Sequence, residues 1–445
     1  MKYDDAVRAL DKRTNYERTG RLTSPTLERI EALLDLMDHP EQGYPVIHIT
    51  GTNGKTTTAR AATEVLRAAG LRVATYTSPH LMSVRERFAY DGEPISEEEF
   101  VEAWREVAPY LEHFDQQGMT ITWFEAATAL AFTFFADKAV DAAVIEVGMG
   151  GSWDATNVVD AVVAAIARID VDHPELGSTP AETAREKAGI IKKGSTVVTV
   201  EQAPDVLEII RSKADEMGAR VRAEGEAFAL EKDALALGGQ SISLRIGNDR
   251  YSDIFLPMFG EHFARDVALG AAAAHTLLGD RHLDEDLIGE AFANIRVPGR
   301  MEVVRRGPLV VLDGAHNPAA ARALADAMPS SFQWDKLRLI VSIMEDKDFA
   351  GVLAPLVAIA DDVIVTRNDS PRAASVEQLA DAVRALGKDA QTVSNVADAI
   401  SVAMERAEES DAILVTGSLY TVGDARRKLV SARRPDGNRE SRENR

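Results

Sequence analysis

The stretch "PVIHITGTNGKTTTARAATEVLRAAG", Pro45 to Gly70, decides the fold. "PVIHIT" is a β-branched run that reads as a strand, "GTNG" is small and flexible, and "KTTTARAATEVLRAAG" is an amphipathic helix stopped by Gly70. A strand, a glycine loop and a helix that opens on Lys-Thr aim backbone N–H groups and a helix N-terminus at phosphate. The spacing is unusual: in the common pattern G-x-x-x-x-G-K-[ST], the first glycine falls five residues before Gly54, where this chain has Ile49.

Working outward, "LRVATYT", "DAAVIEVG" and "VDAVVAAIARID" read as further strands alternating with helical stretches, the signature of βαβ units and a parallel sheet. Between about Glu224 and Leu256 the pattern changes to short alternating strands with Gly-Gly and Asn-Asp turns, which predicts a small antiparallel appendage. The helical segment "EHFARDVALGAAAAHTLLG" follows, and Pro298 with Gly299 then breaks the pattern. Beyond that break, "LVVLDGAHN", "LRLIVSIM", "DDVIVTR" and "DAILVTGS" predict an independent Rossmann-like unit. The fold class expected is α/β: a P-loop NTPase-type, mostly parallel sheet domain over 1–296 with its antiparallel appendage, then a C-terminal Rossmann-like domain over 297–430. The tail 431–445 has no apolar periodicity and is expected to be disordered.

Composition narrows the chemistry. The 445 residues are 45% apolar and 27% charged, as in soluble globular proteins, and include no cysteine. That excludes disulfides, thiolate metal sites and cysteine nucleophiles, so any metal rests on oxygen or imidazole. A formal charge of −21 disfavours nucleic acid and anionic membranes, so any bound anion needs local groups to hold it. The polar N-terminus "MKYDDAVRALDKRTNYERTG" and the absence of a long apolar run predict a cytoplasmic protein with no membrane association.

The loop residues Thr52, Asn53, Gly54, Lys55, Thr56 and Thr57 are candidates for ATP, with Lys55 on the β/γ oxygens and the hydroxyls of Thr56 and Thr57 offered to magnesium. Glu146 closes a predicted strand at the sheet edge where open α/β folds bind ligands, and a carboxylate there suits magnesium. His173, in "DVDHPELG", is on residue type alone either a loop histidine or a metal ligand.

"TGTNGKTT" resembles the loop of ligases of the Mur family, which includes folylpolyglutamate and dihydrofolate synthases. The likeness runs in order through "TSPHL" (77–81), "EVGMGGSWDATN" (146–157), "EKAGII" (186–191), "PGR" (298–300), "DGAHNP" (313–318), "DKD" (346–348) and "GSLYTVGDAR" (417–426). It implies ATP-dependent amide formation: a pteroate or folate carboxylate is activated as an acyl phosphate and attacked by L-glutamate. It implies two magnesium ions, with Thr57, Ser78, Glu146, His173 and Lys187 around them. Lys187 would be carbamylated, because an ammonium cannot ligate a cation. Lys55, Lys187 and His173 would be catalytic. Trp123, Phe124, Glu125 and Asp154 would hold the pterin. Asp266, Arg300, Asp313 and His316 would contact ATP. The partners implied are small molecules, and the chain is expected to be a monomer.

Three features depart from the family pattern. Phe263 and Asp266 stand where "G-x-H-Q-x-x-N" usually supplies glutamine and an adenine-contacting asparagine, Ser152 stands where arginine is common, and Thr56 follows the loop lysine where the folate branch often has glycine. Thr56 matches the peptidoglycan branch, so a ligase acting on a peptidoglycan precursor is the nearest alternative. A P-loop kinase or GTPase and a non-catalytic nucleotide-binding regulator are the others.

Overall fold

A computed structural model describes residues 1–20 and 25–430. The tail expected to be disordered, 431–445, lies outside the described residues. The chain divides into two compact units, Met1–Val297 and Pro298–Arg445.

The first unit is built on eight strands: β1 (Val46–Thr50), β2 (Val73–Tyr76), β3 (Phe88–Tyr90), β4 (Glu93–Pro94), β5 (Ala142–Glu146), β6 (Val163–Ile166), β7 (Thr196–Thr199) and β8 (Arg220–Ala223). Their order across the sheet is β4-β3-β2-β5-β1-β6-β7-β8. The pairs from β2 to β8 are parallel, and β3 and β4 add an antiparallel edge. β1 therefore lies between β5 and β6, and the register Ile49↔Glu146 sets Glu146 level with the start of the glycine loop. β1 and β5 are buried at every residue, His48, Thr50 and Glu146 included.

Two helices carry the site on this sheet. Lys55–Ala68 packs against Glu261–Leu277, and Gly270 makes the approach possible: a Cβ there would stand 2.5 Å from the Thr58 carbonyl oxygen and 2.7 Å from Ala61 Cβ. Trp123–Asp137 opens on a capping box, Thr122 with Glu125, and buries most of its surface in a core with Phe88, Phe100, Phe132 and Phe135. The antiparallel appendage is a three-stranded sheet, β9 (Phe228–Ala236), β10 (Gly239–Ile246) and β11 (Asp249–Leu256), in the order β11-β10-β9.

The second unit holds β12 (Glu302–Arg306), β13 (Leu309–Leu312), β14 (Leu337–Val341), β15 (Asp362–Val365), β16 (Ala390–Thr392) and β17 (Ala412–Thr416), ordered β12-β13-β17-β14-β15-β16. Only β12 runs antiparallel to its neighbour. Its short, half-buried sequence carries two arginines and gives no clear strand signal. Among the described residues no helix is long and apolar enough to cross a membrane.

Candidate active site

The glycine loop leaves β1 and is strapped to the segment that leaves β6. Thr52 N donates to the Arg168 carbonyl (2.8 Å), Thr52 Oγ1 donates to the Asp170 carbonyl (2.6 Å), and Gly51 lies so close to Ala167 that a Cβ would meet it at 2.8 Å. Gly54 has φ of 92°, a conformation that L side chains rarely adopt, and it turns the loop into the helix that starts at Lys55. These ties hold four orphan helix N–H groups at the loop.

Two lysines meet there. Lys55 Nζ donates to the carbonyls of Gly51 (3.0 Å) and Thr52 (3.4 Å), and Lys187 Nζ donates to the same Gly51 carbonyl (2.9 Å). Lys187 ends the helix Pro180–Lys187 and is buried. Burial, reinforced by the nearby Lys55 charge, lowers its pKa to about 7. A large share of the amine is thus neutral near pH 7, the form that reacts with carbon dioxide.

Glu146 is 1% exposed, and its carboxylate accepts from Thr56 Oγ1 (3.0 and 3.1 Å) and from Ser78 N (3.3 Å). The hydroxyl beside Glu146 is therefore Thr56's. Thr57, which the resemblance sets among the metal ligands, is 1% exposed. Neighbouring residues on a helix point about 100° apart, so the two threonines point in different directions. His173 follows Asp172 on the loop after β6, with Nε2 3.3 Å from the Asp172 carboxylate and the Tyr16 ring edge-on at 6.4 Å.

A buried carboxylate with a hydroxyl beside it suits a hard cation, and among the described residues no three His, Asp or Glu side chains form a cage. Magnesium is commonly held in this way, by one or two protein oxygens with substrate phosphates and water completing the shell. The residues fit.

The four residues expected at the pterin lie in different surroundings. Trp123 is buried in the core, where its indole N–H donates to Asp11 (3.0 Å) and its ring lies 4.6 Å from the Arg87 guanidinium carbon. Glu125 is consumed by structure: it caps its own helix through Thr122 N (2.7 Å) and pairs with Arg29 at 2.8 Å. Asp154 is also engaged, accepting from Met149 N (2.9 Å), Thr156 N (3.0 Å) and Thr156 Oγ1 (2.5 Å). Trp123 packs as a core residue. Phe124 differs, because its ring lies where a Cβ on Gly148 would be, just past the end of β5.

Asp266 is buried with its carboxylate against Gly54, beside the loop backbone. Ser152, exposed, bonds through both N (3.1 Å) and Oγ (3.0 Å) to the Glu186 carbonyl, next to Lys187. In the second unit Asp313 accepts from the N–H groups of Met301 (2.9 Å) and Ala315 (2.8 Å). Burial raises its pKa while the Arg300 charge opposes the rise. His316 Nδ1 lies 2.9 Å from the Gly314 carbonyl oxygen.

Sequence reading missed a second cluster. Arg87, wholly buried, donates through Nε to His80 Nδ1 (2.9 Å) and through a terminal nitrogen to Glu17 (2.6 Å), tying the N-terminal segment to the "TSPHL" loop. The available signal was an arginine directly before the strand "FAY".

A strand, a glycine loop and a helix with two lysines and a strand-end carboxylate, on a chain with a second Rossmann-like unit, agree with the class of Mur ligases. The Mur ligase middle domain model matches residues 49–274, and the Mur ligase glutamate ligase domain model matches 299–419. The dihydrofolate synthase/folylpolyglutamate synthase of Mycobacterium tuberculosis is 42% identical over 435 residues, covering 90% of this chain and 89% of that protein. The Bacillus subtilis protein of the same name is 33% identical, covering 92% and 97%. Among solved structures, Mycobacterium tuberculosis folylpolyglutamate synthase complexed with ADP and AMPPCP has a TM-score of 0.89 at 40% identity, covering 96% and 98%. An FPGS-AMPPCP-folate complex has a TM-score of 0.83 at 31% identity, covering 97% and 100%. The chain belongs to the dihydrofolate synthase/folylpolyglutamate synthase family, whose members are ATP-dependent ligases.

Proposed function

We propose that this chain joins L-glutamate to the carboxylate of a dihydropteroate or folate, with ATP activating that carboxylate as an acyl phosphate. The observation that carries this reading is the group at the end of β1 and β5: Lys55 and Lys187 on the Gly51 carbonyl, with Thr56 on Glu146. Each interaction is one that an incoming phosphate or cation can replace.

In this reading the N–H groups of 54–57 and Lys55 hold the β- and γ-phosphates, positioning the γ-phosphorus for attack by the substrate carboxylate. The carboxylate oxygen bonds to phosphorus, the bond to the bridging oxygen breaks, and ADP leaves. The glutamate amine then bonds to the acyl carbon, loses a proton, and inorganic phosphate departs. Thr56, Ser78 and Glu146 would hold one magnesium ion, and His173 with carbamylated Lys187 a second. When bound, the ions supply charge neutralisation at the transferring phosphoryl group. The carbamate forms as the neutral Lys187 amine bonds to carbon dioxide and sheds a proton. Phe124 is the ring we assign to the pterin. In the second unit, we assign Arg300, Asp313 and His316 to ATP, within a ligase domain of 297–430. We read the protein as a cytoplasmic monomer, which light scattering on a sizing column checks.

The test is ADP release and product analysis with dihydropteroate, tetrahydrofolate and a muramyl precursor, each with glutamate. Release with the pteroate or folate is expected. Release with the muramyl compound alone would sink the reading.

A further inference from the structure

The strand that carries the phosphate loop makes a second set of contacts, which have no part in that mechanism. His48 and Thr50, two apart on β1, share one face of the strand, and both are wholly buried. Thr50 Oγ1 donates to the Gly150 carbonyl (2.8 Å). His48 Nε2 lies 2.8 Å from Thr156 Oγ1, and that hydroxyl gives its one proton to Asp154 Oδ1 (2.5 Å). The imidazole therefore donates from Nε2. Asp154 takes the Met149 N–H (2.9 Å) through its other oxygen, which closes the loop 148–154 that follows β5. Burial, with the Lys192 charge nearby, lowers the His48 pKa to about 3, so the ring is neutral near pH 7. Its Nδ1 is buried with no hydrogen-bond partner among the described residues. A buried polar atom without a partner costs stability, and an apolar side chain would supply the same bulk without that cost. What the imidazole adds is its Nε2–H.

The loop held in this way touches two parts of the site. Gly148 lies under the Phe124 ring, where a Cβ would stand 2.5 Å from Phe124 Cζ, and Gly151 lies against Lys187, where a Cβ would stand 2.8 Å from the Lys187 carbonyl oxygen. We propose that His48 and Thr50 are positioning residues that hold the acceptor-side loop 148–154 in register with the phosphate loop, because both loops are tied to one strand. A site whose supporting contacts are removed loosens, and here the loosening falls on the acceptor and not on the nucleotide. This inference rests on the proposed function, in which Phe124 meets the acceptor and Lys187 a metal ion.

The experiment is steady-state kinetics of the full chain, of His48→Leu and of His48→Gln, with dihydropteroate or tetrahydrofolate varied, alongside calorimetric titration with ADP. His48→Leu should raise the acceptor KM on the order of tenfold, the worth of one buried hydrogen bond, while kcat and ADP affinity stay within a few-fold of wild type. His48→Gln keeps an amide N–H for Thr156 and should restore most of the loss. If His48→Leu melts early, Thr156→Val must show the same split between acceptor and nucleotide, and Thr156→Ser must restore it. An unchanged acceptor KM, a parallel loss of ADP affinity, or a KM that His48→Gln leaves as high as His48→Leu does overturns the proposal by making His48 a packing residue. In each of those outcomes the proposed function still stands. A wild-type chain that turns over neither acceptor defeats the proposed function and this inference with it.

Discussion

Two groups of polar side chains lie around the end of the first sheet, and they are held in opposite ways. In the loop group, Lys55 and Lys187 rest on a backbone carbonyl and Thr56 rests on Glu146. In the group around "TSPHL" and "WFE", Arg87 is shared by Glu17, His80 and the Trp123 ring, and Glu125 is divided between a helix cap and Arg29. The first arrangement can be exchanged for a ligand at little loss, since a phosphate or cation offers an equal or better partner. The second cannot, because removing one member strands a buried charge. Mutations should therefore separate the two groups, the first failing in turnover and the second in stability.

The largest separation is expected at Lys187. Lys187→Ala should lower kcat by at least about a thousandfold, the scale of removing a key electrostatic group, while ADP binding stays within a few-fold of wild type. Single-turnover assays with a calorimetric ADP titration check this. Rescue by short carboxylic acids would support the carbamate. Normal turnover would remove Lys187 from the chemistry and dissolve the contrast.

The second group should answer differently. Arg87→Met keeps bulk but strips the cation from Glu17, which is 27% exposed, and from His80, at a cost of about 2 kcal/mol. Urea unfolding measures it. A loss below about 1 kcal/mol would mean that the pair is no better than a surface one.

Sequence reading reached these two groups unequally. The loop group was legible because its chemistry is local: a strand, a glycine turn and Lys-Thr lie within thirteen residues, His48 to Arg60, and each type has a reason to be there. Glu146 was legible because it ends a strand, and strand ends face the ligand edge of such sheets. Arg87 was not, since its partners Glu17 and His80 lie 70 and 7 residues away and no periodicity links them. Glu125 and Trp123 are substrate contacts only by the family resemblance. The capping box Thr122-x-x-Glu125 was itself visible in the sequence and would have given Glu125 its structural task. Thr56 and Thr57 are indistinguishable by type, and only the helix phase assigns one to Glu146 and buries the other.

That assignment gives a finer test within the first group. Thr56→Val removes the donor to Glu146 and leaves a buried carboxylate short of a partner, at about 1.5 kcal/mol, roughly tenfold in kcat/KM. Thr56→Ser should restore most of it. Thr57→Ser, in contrast, should leave kinetics alone and cost about 1 kcal/mol of stability through the lost methyl. If Thr57 rather than Thr56 controls kcat/KM, the helix phase is wrong as a guide to the metal side.

A pH dependence sets Lys187 apart from every lysine on the surface. In the folded chain its pKa is near 7, against 10.5 for an ordinary lysine. Below pH 7 both folded and unfolded chains carry the proton, so Lys187 adds no slope. Between about pH 7 and 10 the unfolded chain still binds the proton and the folded chain has lost it, so stability rises with pH through that window. Above it both forms are neutral and the slope ends. Because other groups titrate as well, the quantity to measure is a difference: urea midpoints of wild type and Lys187→Met from pH 6 to 9.5, in buffer stripped of carbon dioxide. Wild type should gain on the variant as pH climbs from 7. A constant difference would mean that Lys187 keeps its charge in the fold, and a carbamate would then need another source of neutral amine.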